Sequence, residues 1–248
     1  MSKKKNAKST PKSKNKTNGK TAPSSELNSK SNAATRVAPV TKPKPIHNVC
    51  VYCGSGSGTD PIYAKTARTL GSDLAKAQVG LVYGGGGLGL MGEVARATIK
   101  HGGTVTGIIP TFLSELEHML EDVDELIVTD NMHERKQLMF EKSDAFVALP
   151  GGIGTLEELV EQLTWSQLGQ HRKPVVVANI KGYWTPFLDL LAHMKVHQFI
   201  REGLDVHFRV VNHADDILPA IVAARKEASS KPDDNTLPIG ETGIIAKL

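Results

Sequence analysis

The sequence predicts an α/β fold: one Rossmann-like, doubly wound parallel sheet domain over residues 46–226, with a disordered N-terminal tail. Three observations predict it. From His47 onward, short β-type runs alternate with amphipathic helix-type runs. The β-type runs are apolar almost throughout, as strands covered on both faces are. Three strand ends run into glycine-rich or polar turns that open helices.

Taken in order, 48–53 is an apolar run closed by Gly54. Residues 61–78 read as a helix, with Ile62, Ala64, Ala67, Leu70, Leu74 and Ala75 near helical spacing. A strand at 79–83 runs into four glycines, and 90–100 is the next helix. Residues 104–109 form a strand ended by Pro110, and 125–128 a short strand. A helix over 132–142 leads to a strand over 144–149, ended by Pro150. A helix at 155–168, a strand at 174–180 and a helix at 185–199 follow. A short strand at 208–211 and a helix from 214 to about 226 complete the domain. No internal repeat and no second domain is visible.

Charge divides the chain. Residues 1–45 hold twelve Lys or Arg and one acid, Glu26, for a net +11; with the whole chain at +4, the other 203 residues carry −7. The tail has almost no large apolar side chain, so it cannot offset its ordering entropy and is expected to be disordered. Residues 227–248, which contain Pro, Ser and Gly, are expected to be flexible. The acidic body argues against nucleic-acid binding by the domain. The tail offers at most non-specific electrostatic contact, because no aromatic is interleaved to stack on bases. No apolar run approaches the ~18 residues of a membrane span, and no secretory h-region is present. Two cysteines make no disulfide framework. The expectation is a soluble, cytoplasmic protein without membrane partners.

Ligands of a doubly wound sheet bind at the carboxyl ends of its strands, so the turns there carry the functional argument. The first is Cys53-Gly54-Ser55-Gly56-Ser57-Gly58, whose small residues admit a ligand to the backbone. The second, Gly84 to Gly92, contains a literal G-x-G-x-x-G at Gly87, Gly89 and Gly92. It follows the second strand, and Pro110 stands where a ribose-binding acid would be needed, so a packing turn beside a mononucleotide fits better than a dinucleotide site. The third is Pro150-Gly151-Gly152-Ile153-Gly154-Thr155-Leu156-Glu157-Glu158. Backbone N–H groups at a helix N-terminus favour an anion, best a phosphate. Thr155-Leu156-Glu157-Glu158 is also a capping box, in which Glu158 only closes the helix end; spacing leaves both readings open. Before this turn, Met132-His133-Glu134-Arg135-Lys136 places two cations that could close on a phosphate or sugar hydroxyl, or simply face solvent. His133 reads as structural. Cys50 and Cys53 lie three apart on a strand, hence on opposite faces, which disfavours a shared metal. Leu163, Trp165 and Leu168 serve either the core or a dimer surface.

Together these residues resemble the Lonely Guy family of cytokinin-activating phosphoribohydrolases, members of which are often mislabelled lysine decarboxylase-like. Its hallmark P-G-G-x-G-T-x-x-E is matched from Pro150 to Glu158, and its M-H-x-R-K from Met132 to Lys136. Further matches are VCVYCGS (49–55), YGGGGLGLMG (83–92), GIIP (107–110), SDAFVALP (143–150) and TWSQLGQHRKP (164–174). The resemblance covers about 46–225 and leaves out the Lys-rich tail. It implies hydrolysis of the N-glycosidic bond of AMP or an N6-modified AMP, releasing free base and ribose 5-phosphate. It implies no metal and no organic cofactor, and a homodimer. It implies that Arg135 and Glu158 are the catalytic pair. Gly151, Gly152, Gly154 and Thr155 would then hold the phosphate and Lys136 would add affinity. Ser55, Gly85, Gly86 and Gly87 would line the pocket. Asp144 is a weak candidate for protonating the leaving base, since it begins a strand. Decarboxylation by a pyridoxal-phosphate enzyme needs a buried Schiff-base lysine, and Lys136, Lys142 and Lys173 stand in polar contexts. The competing function is a non-catalytic carrier of a nucleotide or phosphorylated cofactor.

Overall fold

The computed structural model describes residues 44–114, 118–201 and 203–230. The tail at 1–43 and the last residues, 231–248, lie outside the described residues, so the expectations made for them stay as such. In chain order the elements are β1 (Asn48–Tyr52), α1 (Pro61–Lys76), β2 (Gly80–Tyr83), α2 (Gly89–Lys100), β3 (Val105–Pro110), the single turn α3 (Thr111–Ser114), β4 (Glu125–Thr129), α4 (Met132–Glu141), β5 (Ala145–Ala148), α5 (Ile153–Gln167), β6 (Val175–Ala178), α6 (Thr185–Val196), β7 (Arg209–Val211) and α7 (Ile217–Ser230). The sequence expectation put flexible chain from 227; instead α7 runs through Ser230, with Ser229 Oγ donating to the Arg225 carbonyl at 2.9 Å.

Among the described residues, seven strands form one parallel sheet in the order β4-β3-β2-β1-β5-β6-β7. Val49 of β1 pairs with Leu81 of β2 on one side and Ala145 of β5 on the other. The chain therefore builds outward from β1 to β4, then crosses back to start the second half at β5. That reversal opens a crevice at the carboxyl ends of β1 and β5.

Strand alternation supplies a core on each face. Val49 and Val51 pack with Leu70 and Leu74 of α1, Leu90 and Val94 of α2, and Ile217 and Ile221 of α7. Cys50 and Tyr52 point the other way, toward Met139 of α4, Leu159 and Leu163 of α5 and Phe187 of α6. Cys53 lies in the first core and Cys50 in the second, so the two free thiols are on opposite faces, as their spacing requires. Helices α1 and α2 pack closely because residue 71 is glycine: a Cβ there would sit 2.4 Å from the Val94 carbonyl oxygen. Among the described residues, no helix is long and apolar enough to cross a membrane.

Candidate functional site

Two helices deliver side chains to the crevice, and their N-termini are built differently. Helix α4 has the full capping arrangement. Asn131 Oδ1 accepts from the N–H groups of His133 and Glu134, both at 3.0 Å, and Glu134 reaches back to the Asp130 N–H at 3.0 Å. These bonds fix the start of the helix and with it the direction of the next residue, Arg135.

Helix α5 has no such cap. It begins at Ile153 behind Gly152, with no side chain capping its first N–H groups. Thr155 is its third residue and Glu158 its sixth. The capping-box reading of Thr155 and Glu158 is therefore corrected: the helix starts before Thr155, and Glu158 lies a turn and a half inside it. Both are buried, on the stripe that continues through Leu159, Gln162 and Leu163. A carboxylate thus occupies a position where helix geometry calls for an apolar side chain, which Glu rarely does unless it is paired.

Its partner is Arg135, also buried. Arg135 Nη2 lies 3.8 Å from Glu158 Oε1, with side-chain exposures of 7% and 10%. Arg135 is held by backbone at the strand ends: Nε donates to the Ile108 carbonyl at 3.1 Å and Nη2 to the Gly84 carbonyl at 3.3 Å. The guanidinium thus bridges the Gly84 carbonyl just after β2 and the Ile108 carbonyl in β3, with Nη1 on Met132 Sδ at 3.7 Å and Nη2 toward Glu158. Gly84 makes room for it, since a Cβ at residue 84 would lie 2.2 Å from Arg135 Nη2. The Glu158 carboxylate is felt beneath it: burial first, then this charge, pushes the Cys50 thiol up. Cys50 is therefore an inert core thiol.

The turn between β5 and α5 divides its glycines into two kinds. Gly151 is demanded by packing, because a Cβ there would meet Thr155 Oγ1 at 2.1 Å and the Gly54 nitrogen at 2.8 Å. Gly152 and Gly154 are not: a Cβ at either would have nothing within 4 Å. Both are exposed, so neither packing nor a left-handed backbone requires glycine there. The first N–H groups of α5 have no acceptor within the helix. Open space in front of such donors suits a bulky anion. The Gly54 N–H donates to the Pro150 carbonyl at 3.1 Å and joins the turns after β1 and β5. Ser55 lies exposed beside this junction.

The second glycine turn is a packing device. The Leu90 and Met91 N–H groups, at the start of α2, donate to the Gly54 carbonyl at 3.0 and 3.3 Å. Protein carbonyls thus occupy donors that a dinucleotide pyrophosphate would need. A Cβ at Gly89 would strike the Ser55 carbonyl at 2.2 Å, and one at Gly92 the Gly87 carbonyl at 2.1 Å. The backbones of Gly85 and Gly87 are bonded to Leu120 and His118 at 3.1 and 2.8 Å. Gly85 and Gly86 are buried and Gly87 half-buried.

Lys136 is engaged elsewhere. Its Nζ lies 2.5 Å from Glu157 and 3.0 Å from Glu161 of α5. Burial lowers the affinity of its amine for a proton, but the hydrogen bonds to the two carboxylates outweigh that and hold its pKa above the ordinary lysine value. The acids that follow the anion turn are thus paired, Glu157 with Lys136 and Glu158 with Arg135. Asp144 lies at the opposite end of the sheet, where its Oδ2 accepts from the His47 and Asn48 N–H groups at 2.8 and 3.1 Å. That removes it as a proton donor to a base in the crevice. Leu163 is core, Trp165 packs edge-on against Phe140, and Leu168 is exposed.

The lysines do not suit a Schiff base. Lys136 is kept charged by two glutamates. Lys142 bridges to Glu125, and Lys173 sits over the Phe140 ring, both at the amino ends of the strands. Among the described residues, no group of three or more His, Cys, Asp or Glu side chains is placed to hold a metal ion.

Gly84 and the Ile108 carbonyl were not singled out by sequence reasoning. Gly84 had a signal, as the first of four glycines, but its reason lies in an arginine 51 positions away. A backbone acceptor such as Ile108 carries no residue-type signal at all.

Known proteins bear on this geometry. Residues 91–221 match a family model described as "Possible lysine decarboxylase". A probable cytokinin riboside 5'-monophosphate phosphoribohydrolase of Oryza sativa subsp. japonica is 55% identical over 136 residues, which cover 55% of this chain and 60% of that protein. A cytokinin riboside 5'-monophosphate phosphoribohydrolase of Arabidopsis thaliana is 49% identical over 144 residues, 58% of this chain and 66% of its own. The matches thus span just under two thirds of these plant relatives. The Rhodococcoides fascians enzyme of the same name is 44% identical over 195 residues, 77% of this chain and 96% of that one. Among solved structures, the molybdenum cofactor binding protein of Rippkaea orientalis is similar with a TM-score of 0.54 at 25% identity, covering 71% of this chain and 96% of that one. A Moco carrier protein of Chlamydomonas reinhardtii, with a TM-score of 0.54 at 23% identity over 73% of this chain and 98% of its own, shares the fold. With the family model matched over more than half its length and the bacterial relative over nearly its whole length, the chain belongs to the Lonely Guy family, that of the cytokinin riboside 5'-monophosphate phosphoribohydrolases.

Proposed function

We propose that this protein hydrolyses the N-glycosidic bond of a nucleoside 5'-monophosphate, AMP or its N6-modified cytokinin form, and releases the free base and ribose 5-phosphate. The observation that carries the reading is the buried Arg135–Glu158 pair beside the uncapped N-terminus of α5. Breaking a base–ribose bond develops oxocarbenium charge on the sugar. A carboxylate held in a water-poor crevice stabilises that charge, and it orients the water that adds to the anomeric carbon and takes up its proton. The electron pair of the C–N bond leaves with the base, which takes up one proton to become the free base, balancing the proton that the water gives to Glu158. Arg135 pairs with Glu158 and holds its carboxylate in place. The phosphate, seated on the turn at Gly152–Gly154, anchors the far end of the sugar and fixes the reacting carbon against Glu158.

The reading extends to a homodimer in the cytoplasm. Ile153, Val160 and Leu168 lie along one exposed edge of α5, a strip that a second copy of the chain would cover. Sedimentation of the purified protein as a monomer would remove that part alone.

The test of the activity is chromatography of protein incubated with AMP, N6-isopentenyl-AMP and adenosine, with Glu158→Gln alongside. The expected result is free base from the monophosphates and not from adenosine. The variant should lose about 10²–10⁴-fold in turnover, the usual worth of a general base, while still binding nucleotide. Binding without any release of base would transfer the bet to a carrier of phosphorylated ligands, the alternative that the likeness to a molybdenum cofactor binding protein favours.

A further inference from the structure

The connection from β6 to α6 reaches back over the anion turn. After β6 the backbone enters the left-handed region twice in succession, at Lys181 (φ 52°) and Gly182 (φ 75°). A non-glycine residue held there is strained, and such strain persists only where the surroundings over-determine it. Here the surroundings do so. Lys181 Nζ pairs with Asp60 Oδ2 at 3.0 Å, and Asp60 is also the N-cap of α1. The next residue, Tyr183, packs edge-on against Tyr63 of α1 at 5.7 Å between centroids and against Trp184 at 5.2 Å. Its hydroxyl donates to the Gly151 carbonyl at 2.5 Å.

That carbonyl belongs to the same rigid peptide as the Gly152 N–H. In a trans peptide the two groups point in opposite directions. A donor fixed on the carbonyl therefore sets the direction of the N–H. On the far side of this peptide, a Cβ at residue 152 would meet nothing within 4 Å.

We infer that Tyr183 is a positioning residue for phosphate capture: it turns the Gly151–Gly152 peptide so that the Gly152 N–H, with the first N–H groups of α5, faces the 5'-phosphate of the substrate. The inference rests on the function proposed above and names the device that holds its anion turn. The turn of Lys181 and Gly182 aims the ring, the two aromatic contacts hold it, and only the hydroxyl acts on the turn.

Tyr183→Phe isolates that hydroxyl, because the ring contacts remain. The full chain and the variant are compared by calorimetry with inorganic phosphate and with ribose 5-phosphate, and by steady-state kinetics with the monophosphate. The expected result is a loss of about 3–10-fold in affinity for both anions, the size of one net hydrogen bond. KM for the monophosphate should rise by the same factor, with kcat within about twofold and an unliganded Tm matching the wild type. Unchanged anion affinity overturns the inference, as does a fall in kcat or unliganded Tm without a change in anion binding. Wild-type protein that binds ribose 5-phosphate more tightly than the variant, yet releases no base, sustains the Tyr183 assignment and sinks the proposed activity. Wild-type protein that binds neither anion overturns both.

Discussion

Gly84→Ala tests whether the arginine is held where the chemistry needs it. The new methyl would lie 2.2 Å from Arg135 Nη2 and 3.1 Å from Met91 Sδ. Comfortable contact is about 3.5 Å, so the guanidinium must retreat by roughly one ångström. It cannot retreat freely, because Nε is tied to the Ile108 carbonyl and Nη2 to the carbonyl of residue 84 itself. Overpacking of this kind costs about 1–3 kcal/mol, measured as a lower urea midpoint. The larger effect falls on activity, since a displacement of about one ångström in a reacting constellation costs up to ~10²-fold. The expected kcat/KM for base release is therefore about 10–10²-fold below wild type. Overpacking alone would lower stability too, so a double-mutant cycle separates the causes. In an Arg135→Ala background there is no guanidinium to strike, and Gly84→Ala should cost nothing further in kcat/KM. Equal activity losses in both backgrounds would refute the argument, as would wild-type kcat/KM in the single variant.

Two further predictions follow from the same reasoning. Gly152→Ala and Gly154→Ala should fold with stabilities within about 0.5 kcal/mol of wild type, because a Cβ at either meets nothing; each should raise KM for the monophosphate several-fold, and unchanged KM would show that the open space in front of α5 is not the phosphate seat. His171 is buried between Phe140 and Phe146, its Nδ1 accepts from the Lys173 N–H, and burial holds its pKa below the free value of 6.5. The unfolded chain then takes up the proton first, so stability is lost as pH falls from neutral through 6.5 toward the depressed folded value. Urea midpoints at about pH 7.5 and pH 5.5 should show that loss in the wild type and less of it in His171→Gln, and an equal loss in both would exclude His171 as its source.

The alternation of elements is readable from sequence because burial on both faces leaves near-continuous apolar runs such as Val49–Tyr52 and Phe146–Leu149. The order of strands is not, since nothing local says that β5 returns to the side of β1. Spacing left the capping of α5 open for a physical reason. Thr155 and Glu158 have the spacing of a cap, but the two exposed glycines before them let the helix start at Ile153, and the true cap belongs to α4 at Asn131. Lys136 shows the opposite failure. A lysine next to Arg135 in sequence points a different way on the helix, and its partners Glu157 and Glu161 lie on a neighbouring element. Tyr183 left no signal near the anion turn, because the contact joins residues 32 apart.

What separates an enzyme from a carrier on this fold is a single costly choice. A carrier of phosphorylated ligands needs the open turn of α5, and gains nothing from a carboxylate one and a half turns further in, where its charge repels the same ligand. Burying Glu158 and Arg135 costs several kcal/mol in desolvation, which their pairing at 3.8 Å and the hydrogen bonds of Arg135 to the Ile108 and Gly84 carbonyls must offset. A leucine would suit the stripe of Thr155, Leu159 and Leu163 better. The pair makes physical sense if the carboxylate meets positive charge that exists only during the reaction. On that argument it is the buried carboxylate at residue 158 that supports the proposed activity over a carrier, and not the glycine turn, which a carrier would share.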